Sequence, residues 1–399
     1  MATANSLQTE TKKSLAGWPS FTEEEIAAVA AVLRSGKINY WTGEESRQFE
    51  REYARYVGTK HAIALANGTL ALELALRILG IGAGDEVITT TRTFIASASC
   101  AVMEGANPII ADVDRDSQNV TAETIRAKIT PRTKAIIAVH LAGWPCDMDS
   151  ILEVAREHNL KVIEDCAQAH GARYKDRPVG SMGDVGAFSF CQDKIITTGG
   201  EGGLITLNDD ERFEAAWAFK DHGKSFDAVY RRQHAPGFRW LHESFGTNWR
   251  ITEMQSVLGR IALRKLDHWV ELRRRSANIL RQALAKFDAV RVPAPSPDIY
   301  HSYYKFYAFV QPESLRTGWS RDRILQEITD RGVPCFSGSC SEIYLEKAFV
   351  NAGYPQDRLP VAKELGETSL MFLVHPTLSV DEMEWVAEVA SSVLASAAR

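Results

Sequence analysis

Seven short apolar runs between residues 61 and 207, most of them separated by amphipathic stretches, constrain this chain more than any other feature. The runs are His61–Ala66, Glu86–Thr90, Pro108–Val113, Lys134–His140, Lys161–Asp165, Val185–Cys191 and Gly203–Leu207. Several are continuously apolar rather than alternating, which suits strands covered on both faces. Thr69–Leu79, Ile95–Glu104, Ala122–Lys128 and Met148–His158 carry helical spacing. Strand and helix in alternation predict an α/β fold with a mostly parallel central sheet. Two helices, Glu23–Ser35 and Glu45–Tyr56, precede it and stop at Gly36 and Gly58.

Beyond Leu207 the pattern changes. Arg212–Lys220 reads as a helix, and Asp221–Trp240 as a loop holding Lys224, Arg231, Arg232 and Arg239. Thr252–Phe287 is a long helical stretch. Pro293, Pro295 and Pro297 mark a linker. Tyr303–Val310 then reads as a strand, Arg321–Arg331 as a helix and Val380–Ser396 as a closing amphipathic helix. The expected organisation is a flexible tail over 1–20, a large α/β domain over 21–270 and a smaller C-terminal α+β domain over 271–399.

The 399 residues are 45% hydrophobic and 24% charged, enough for a large core. A formal charge of −5 argues against nucleic acid as a partner, since phosphate binding wants a basic footprint. No apolar run reaches the ~18 residues of a membrane span. Met1–Ser14 is polar and lacks the apolar core of a signal peptide, so a cytoplasmic protein is expected. Cysteines at 100, 146, 166, 191, 335 and 340 form no CxxC pair. They read as buried free thiols in a reducing compartment, with no metal site.

Three segments carry chemistry. In Val162-Ile163-Glu164-Asp165 a hydrophobic strand ends in an acid, where open α/β sheets place ligands. Such an Asp is either a functional group or a helix N-cap. In Phe188-Ser189-Phe190-Cys191-Gln192-Asp193-Lys194, a single lysine follows a strand and precedes the cluster Gly199-Gly200-Glu201-Gly202-Gly203. An apolar, Gly-rich setting can desolvate an amine and make it a nucleophile; the plain alternative is a turn with a surface lysine. Ala66-Asn67-Gly68-Thr69 is a strand-to-helix turn whose free N–H groups can cradle phosphate or simply cap a helix. His222-Gly223-Lys224-Ser225 mimics a P-loop tail, but Ala218 stands where its first Gly belongs.

Phosphate turn, strand-end acid and lysine together are what pyridoxal phosphate (PLP) requires: an anion cradle, a carboxylate to keep the ring nitrogen protonated, and an amine for the aldehyde. With these motifs the chain resembles the DegT/DnrJ/EryC1/StrS family of PLP-dependent sugar aminotransferases, from about Ser20 to the C-terminus. Further matching motifs are Gly84-Asp85-Glu86-Val87, Thr93-Phe94, Ala167-Gln168-Ala169 and Asn248-x-Arg250. The resemblance implies fold type I, the aspartate aminotransferase-like fold. It implies Lys194 as the residue that holds the cofactor and shuttles protons, and Asp165 as partner of the pyridinium nitrogen. Gln168 matches the residue near the ring 3-oxygen; Gly68, Thr69 and Ser189 match phosphate ligands; Phe94 matches the aromatic stacked on the ring. Asn248 matches a residue reaching the neighbouring subunit's phosphate, which implies a homodimer with shared sites. Arg250 matches a residue near the phosphates of the sugar nucleotide. The chain departs from the family pattern at Cys166 and Cys191, and matches it more weakly over Gly332–Tyr344.

The expected reaction moves an amino group from an amino acid, L-glutamate above all, through the pyridoxamine phosphate (PMP) form to a nucleotide-linked ketosugar, in amino-sugar or O-antigen/lipopolysaccharide biosynthesis. The cationic loop, with Arg231 and Arg239, offers a place for the diphosphate; the plain alternative is a solvated basic loop. Two other readings differ in class. Sugar dehydratases of the same family replace the lysine with histidine, which Lys194 opposes. A non-catalytic regulatory homologue would tolerate loss of Asp165 or Lys194, and both are present.

Overall fold

The computed structural model describes residues 15–354 and 356–399. The expectation for 1–14 lies outside them. A seven-stranded sheet contains β1 (His61–Leu65), β2 (Glu86–Thr90), β3 (Asn107–Ala111), β4 (Thr133–Val139), β5 (Lys161–Asp165), β6 (Val185–Ser189) and β7 (Gly203–Leu207). Their order is β1-β7-β6-β5-β4-β2-β3. The β6-β5-β4-β2-β3 pairings are parallel, and only β7 runs against its neighbours. β1, β5 and β6 therefore all end at one edge, the edge where such sheets bind ligands. β2, β6 and β7 are buried at every position, matching their continuous apolar runs.

Helix Gly68–Ile78 follows β1 directly because the Asn67 side chain accepts from Leu70 N at 3.0 Å and caps its first turn. Its Ala71, Leu74 and Ala75 bury against the sheet, so its N-terminus is fixed at the ligand edge. Helix Glu253–Leu284, 32 residues long, opens with a capping box between Thr252 and Gln255. It runs unbroken through the expected boundary at 270. Leu266 and Val270 pack with the large sheet's outer layer, and Ala277, Leu280 and Leu284 enter a second core. That core lies under β8 (Val290–Arg291), β9 (Phe306–Val310), β10 (Cys335–Phe336) and β11 (Ser369–Phe372), an antiparallel sheet of order β8-β9-β11-β10. Helices Arg321–Asp330 and Val380–Ala397 cover it.

Four expectations need correction. The strand expected from Tyr303 starts at Phe306, since Tyr303 has a left-handed φ of 48° that no extended strand accommodates. The loop expected over Asp221–Trp240 contains a helical turn, Phe226–Tyr230, capped by the Ser225 hydroxyl accepting from Ala228 N at 3.2 Å. Cys340 is exposed and Cys191 half-buried, unlike the other four thiols. The end of the expected tail is docked: Ala16 N donates to Glu382 at 2.9 Å, and the Gly17 carbonyl accepts from Thr377 at 2.9 Å. Trp18 packs edge-on against Trp269 with centroids 5.2 Å apart. Among the described residues, no helix is long and apolar enough to cross a membrane.

Candidate active site

A cleft of about 1040 Å³ opens where the sheet's carboxyl edge faces the small domain. It is lined by Gly68 and Thr69 after β1, Asp165 and Gln168 after β5, and Ser189 and Lys194 after β6. Phe94 lines it too, and is 66% exposed although aromatic. Tyr304, Lys305, Tyr307 and the segment around Cys340 close the other side. Backbone bonds hold this segment down: Thr93 N donates to Cys340 O at 3.2 Å and Ile343 N to Thr91 O at 3.1 Å. Part of the weakly matching stretch Gly332–Tyr344 thus lines the cleft.

The anion cradle depends on a close approach. A Cβ on Gly68 would meet Ser189 Cβ at 2.5 Å, and one on Gly203 would meet the Asn67 carbonyl oxygen at 2.1 Å. Only glycine lets the helix start sit against the ends of β6 and β7. The Thr69 and Ser189 side chains flank the helix N-terminus, whose free N–H groups and dipole favour an anion.

Asp165 is 4% exposed. One oxygen accepts from Ser97 Oγ at 2.7 Å and the other from Ala167 N at 3.1 Å. Ser97 in turn meets the Thr93 hydroxyl at 2.8 Å. Among the described residues no cation pairs with this buried carboxylate, which suits a cationic ring nitrogen opposite it. Gln168 is oriented by Ala142 N, which donates to its Oε1 at 2.9 Å.

Lys194 leaves the end of β6 through a turn in which its N–H donates to Cys191 O at 3.1 Å. Its carbonyl accepts from Trp18 Nε1 at 3.0 Å. Its Nζ lies 5.0 Å from the centroid of Tyr304. The neighbouring Asp193 accepts from the Tyr304 hydroxyl and lies 3.5 Å from Lys305 Nζ. Burial raises the pKa of Asp193, but the Tyr304 hydrogen bond and the charges of Lys194 and Lys305 outweigh it and hold the carboxyl below its usual range. Trp18, Ser97, Asp193, Tyr304 and Lys305 were not singled out from sequence. Only Asp193 had a local signal, adjacency to Lys194.

Beneath the site, Glu164 is fully buried beside His140 and Cys166, their ligand atoms lying within 4.8 Å of one another. Glu164 accepts from Gly180 N, Met182 N and Gly183 N at 2.7–2.8 Å and pairs with His140 at 3.1 Å. These donors satisfy both oxygens, so the group is a structural clamp on the turn that leads into β6.

Four residues expected at the site do not line this chain's own cleft. Asn248 is exposed, on a segment bridged to Asp221. Arg250 donates to Asp221 at 2.8 Å. Arg231 pairs with Glu214 at 2.6 Å, and Arg239 is exposed.

The residues present fit PLP: a glycine-dependent anion cradle, a buried carboxylate, an exposed aromatic face and an amine share one cleft. The comparisons agree. Residues 19–391 match the family model described as the DegT/DnrJ/EryC1/StrS aminotransferase family. The X-ray structure of an aminotransferase from Psychrobacter cryohalolentis is similar at TM-score 0.94 and 58% identity, covering 96% of this chain and 99% of that one. The GDP-perosamine synthase of Caulobacter vibrioides is 38% identical over 351 residues, 87% of this chain and 89% of its own. The dTDP-3-amino-3,4,6-trideoxy-alpha-D-glucose transaminase of Streptomyces venezuelae is 35% identical over 363 residues, 91% of this chain and 90% of its own. The fold is therefore that of the PLP-dependent aminotransferases. A cleft built around Lys194 and Asp165, matched along nearly the whole chain by these relatives, makes this protein a member of the PLP-dependent DegT/DnrJ/EryC1/StrS aminotransferase family.

Proposed function

We propose that this chain transfers an amino group from an amino acid, L-glutamate above all, to a nucleotide-linked ketosugar. The observation that carries the reading is one cleft holding the lysine, the buried acid and the anion cradle, in a chain whose relatives include nucleotide-sugar transaminases. PLP, when bound, supplies a carbonyl for the amine and a conjugated ring that takes up electrons from a broken C–H bond. Gly68, Thr69 and Ser189 would hold its phosphate, and Phe94 would cover its ring. Asp165 would keep a proton on the ring nitrogen, its carboxylate oriented by the Ser97 hydroxyl. The Lys194 amine would hold the cofactor and, once freed from it, would carry away the proton released from the donor's α-carbon. Tyr304 beside it narrows the entrance and limits water.

Asn248, Arg250, Arg231 and Arg239 then serve a partner copy. Asn248 would reach the partner's cofactor phosphate and the arginines the sugar diphosphate, giving a homodimer with shared sites. The same region exposes Phe238, Trp240 and Phe245 at 79%, 82% and 100%, an apolar load that an interface would cover. A cytoplasmic setting and a role in surface polysaccharide or O-antigen synthesis fit the sugar-nucleotide chemistry of the relatives.

The test uses purified holoenzyme. Glutamate should bleach its visible cofactor band, and a nucleotide ketosugar from a panel of UDP-, GDP- and dTDP-linked substrates should restore it. Bleaching that no ketosugar on the panel reverses, while simple keto acids do, would point to an amino-acid transaminase instead.

A further inference from the structure

Three cationic side chains gather around Tyr304 near a single carboxylate, and only one of them, Lys305, is in ion-pair range of it. Lys194 Nζ and Lys305 Nζ lie 5.0 and 4.6 Å from the Tyr304 ring centroid. Arg273, 1% exposed, donates to the Tyr304 carbonyl at 3.3 Å and lies over the Trp18 ring, and its Nε and Nη2 have no hydrogen-bond partner among the described residues. The carboxylate is Asp193. Its Oδ2 is already taken by the Tyr304 hydroxyl, and Lys305 Nζ stands 3.5 Å from that same oxygen. That is a long separation for a charge-assisted bond. Among the described residues, Lys305 has no other acid in ion-pair range. His375 adds no charge, because burial and the nearby Arg273 and Lys305 push its pKa down to about 4.

The cluster thus carries excess positive charge where Arg273 is fully and Lys305 largely buried while the Asp193 side chain is half exposed, which is costly unless an anion joins it. The cofactor phosphate has its own cradle at Gly68, Thr69 and Ser189, in which neither Lys305 nor Arg273 takes part. Lys305 lines the cleft with its side chain 17% exposed, and its ammonium has donors to spare. Burial pushes its pKa down and Asp193 offsets this only in part, so an arriving anion would find a poorly compensated ammonium.

We propose that Lys305 is the carboxylate-binding residue of this cleft, with Asp193 and Arg273 setting the local charge that makes it receptive. The inference rests on the aminotransferase reading, in which donor and ketosugar occupy one cleft in turn. Two sources offer the same chemistry: a carboxylate of the amino-acid donor, or that of an acidic sugar.

Calorimetric titration of holoenzyme separates them with unreactive probes. Glutarate stands for the donor, and UDP-glucuronate against UDP-glucose for the sugar, the latter pair with the PMP form. Lys305→Gln should weaken glutarate or UDP-glucuronate by roughly tenfold or more, as expected for loss of a charged hydrogen bond, and leave UDP-glucose unchanged. Lys305→Arg should recover most of the loss. Asp193→Asn, which removes the competitor for Lys305, should tighten the same acidic probe. The probe that responds names the source. If neither acidic probe binds the wild type, or if Lys305→Gln and Asp193→Asn leave both unchanged, the assignment is overturned. Failure of the aminotransferase reading shows separately, as a cofactor band that no amino acid bleaches.

Discussion

Asp165 is legible in the sequence as a strand-end acid with two possible roles, and the structure places it where both can operate. Its oxygens accept from Ser97 and Ala167, and it lines the cleft as well as closing a turn. The Ser97 bond is charge-assisted, and Thr93 fixes the Ser97 hydroxyl in turn. Losing a hydrogen bond to a charged group costs about 1.5–3 kcal/mol, so Ser97→Ala should lower kcat roughly tenfold while the melting temperature stays close to wild type. Stopped-flow measurement of the glutamate half-reaction checks this. An unchanged rate would mean that Ala167 N alone suffices to orient the acid. Nothing in Ala96-Ser97-Ala98-Ser99 distinguishes Ser97 from Ser99; only the docking of helix Ala96–Met103 does so.

Several contacts between elements depend on neutral buried histidines. His170, after β5, meets the Tyr53 hydroxyl of helix Glu45–Val57 at 2.8 Å and the Ser189 carbonyl at the end of β6 at 2.8 Å. Burial pushes its pKa down to about 3. His301, stacked on Tyr303 with centroids 3.7 Å apart, is likewise pushed down to about 3 by burial. A depressed histidine pKa means that the unfolded chain binds protons the folded one refuses. The stability is complete above the ordinary histidine value and falls as pH drops below it. Each histidine contributes a loss of roughly 1.4 kcal/mol per pH unit below about 6.5. Glu164 acts later: its folded pKa is also lowered, because His140 and the backbone donors outweigh burial, so its share is lost only below the carboxylate range of about 4. The urea midpoint of the holoenzyme should therefore fall between pH 7 and pH 5, before most carboxylates protonate. A midpoint constant over that interval would contradict the assignment of His170 and His301 as neutral clamps.

For the whole molecule, the proposed shared-site homodimer predicts a complementation pattern. If Asn248 serves the partner's phosphate, Lys194→Ala and Asn248→Asp each inactivate both sites of their own homodimer. In a mixed dimer one site carries both lesions and the other is native. Random exchange makes about half the dimers mixed, so roughly a quarter of wild-type activity should return on co-expression. Verified heterodimers without recovery would place Asn248 at its own chain's site. Asp221, fully buried, lies 2.8 Å from Arg250 and 3.2 Å from Lys224 and fixes both side chains.

The sequence by itself determined the alternation of strands and helices, the three chemical segments and hence the family. Apolar periodicity is local, and the lysine, the strand-end acid and the glycine turn each sit in a short motif with its own signature. Tertiary structure decided what sequence distance conceals. Trp18 bonds the Lys194 carbonyl from 176 residues away, Ser97 reaches Asp165 across 68, and Tyr304 reaches Asp193 across 111. Lys305 and Arg273 become a charge excess only because helix Glu253–Leu284 and the start of β9 meet around Tyr304. None of these pairs has a period or a spacing to read, since each is made by packing between elements rather than within one.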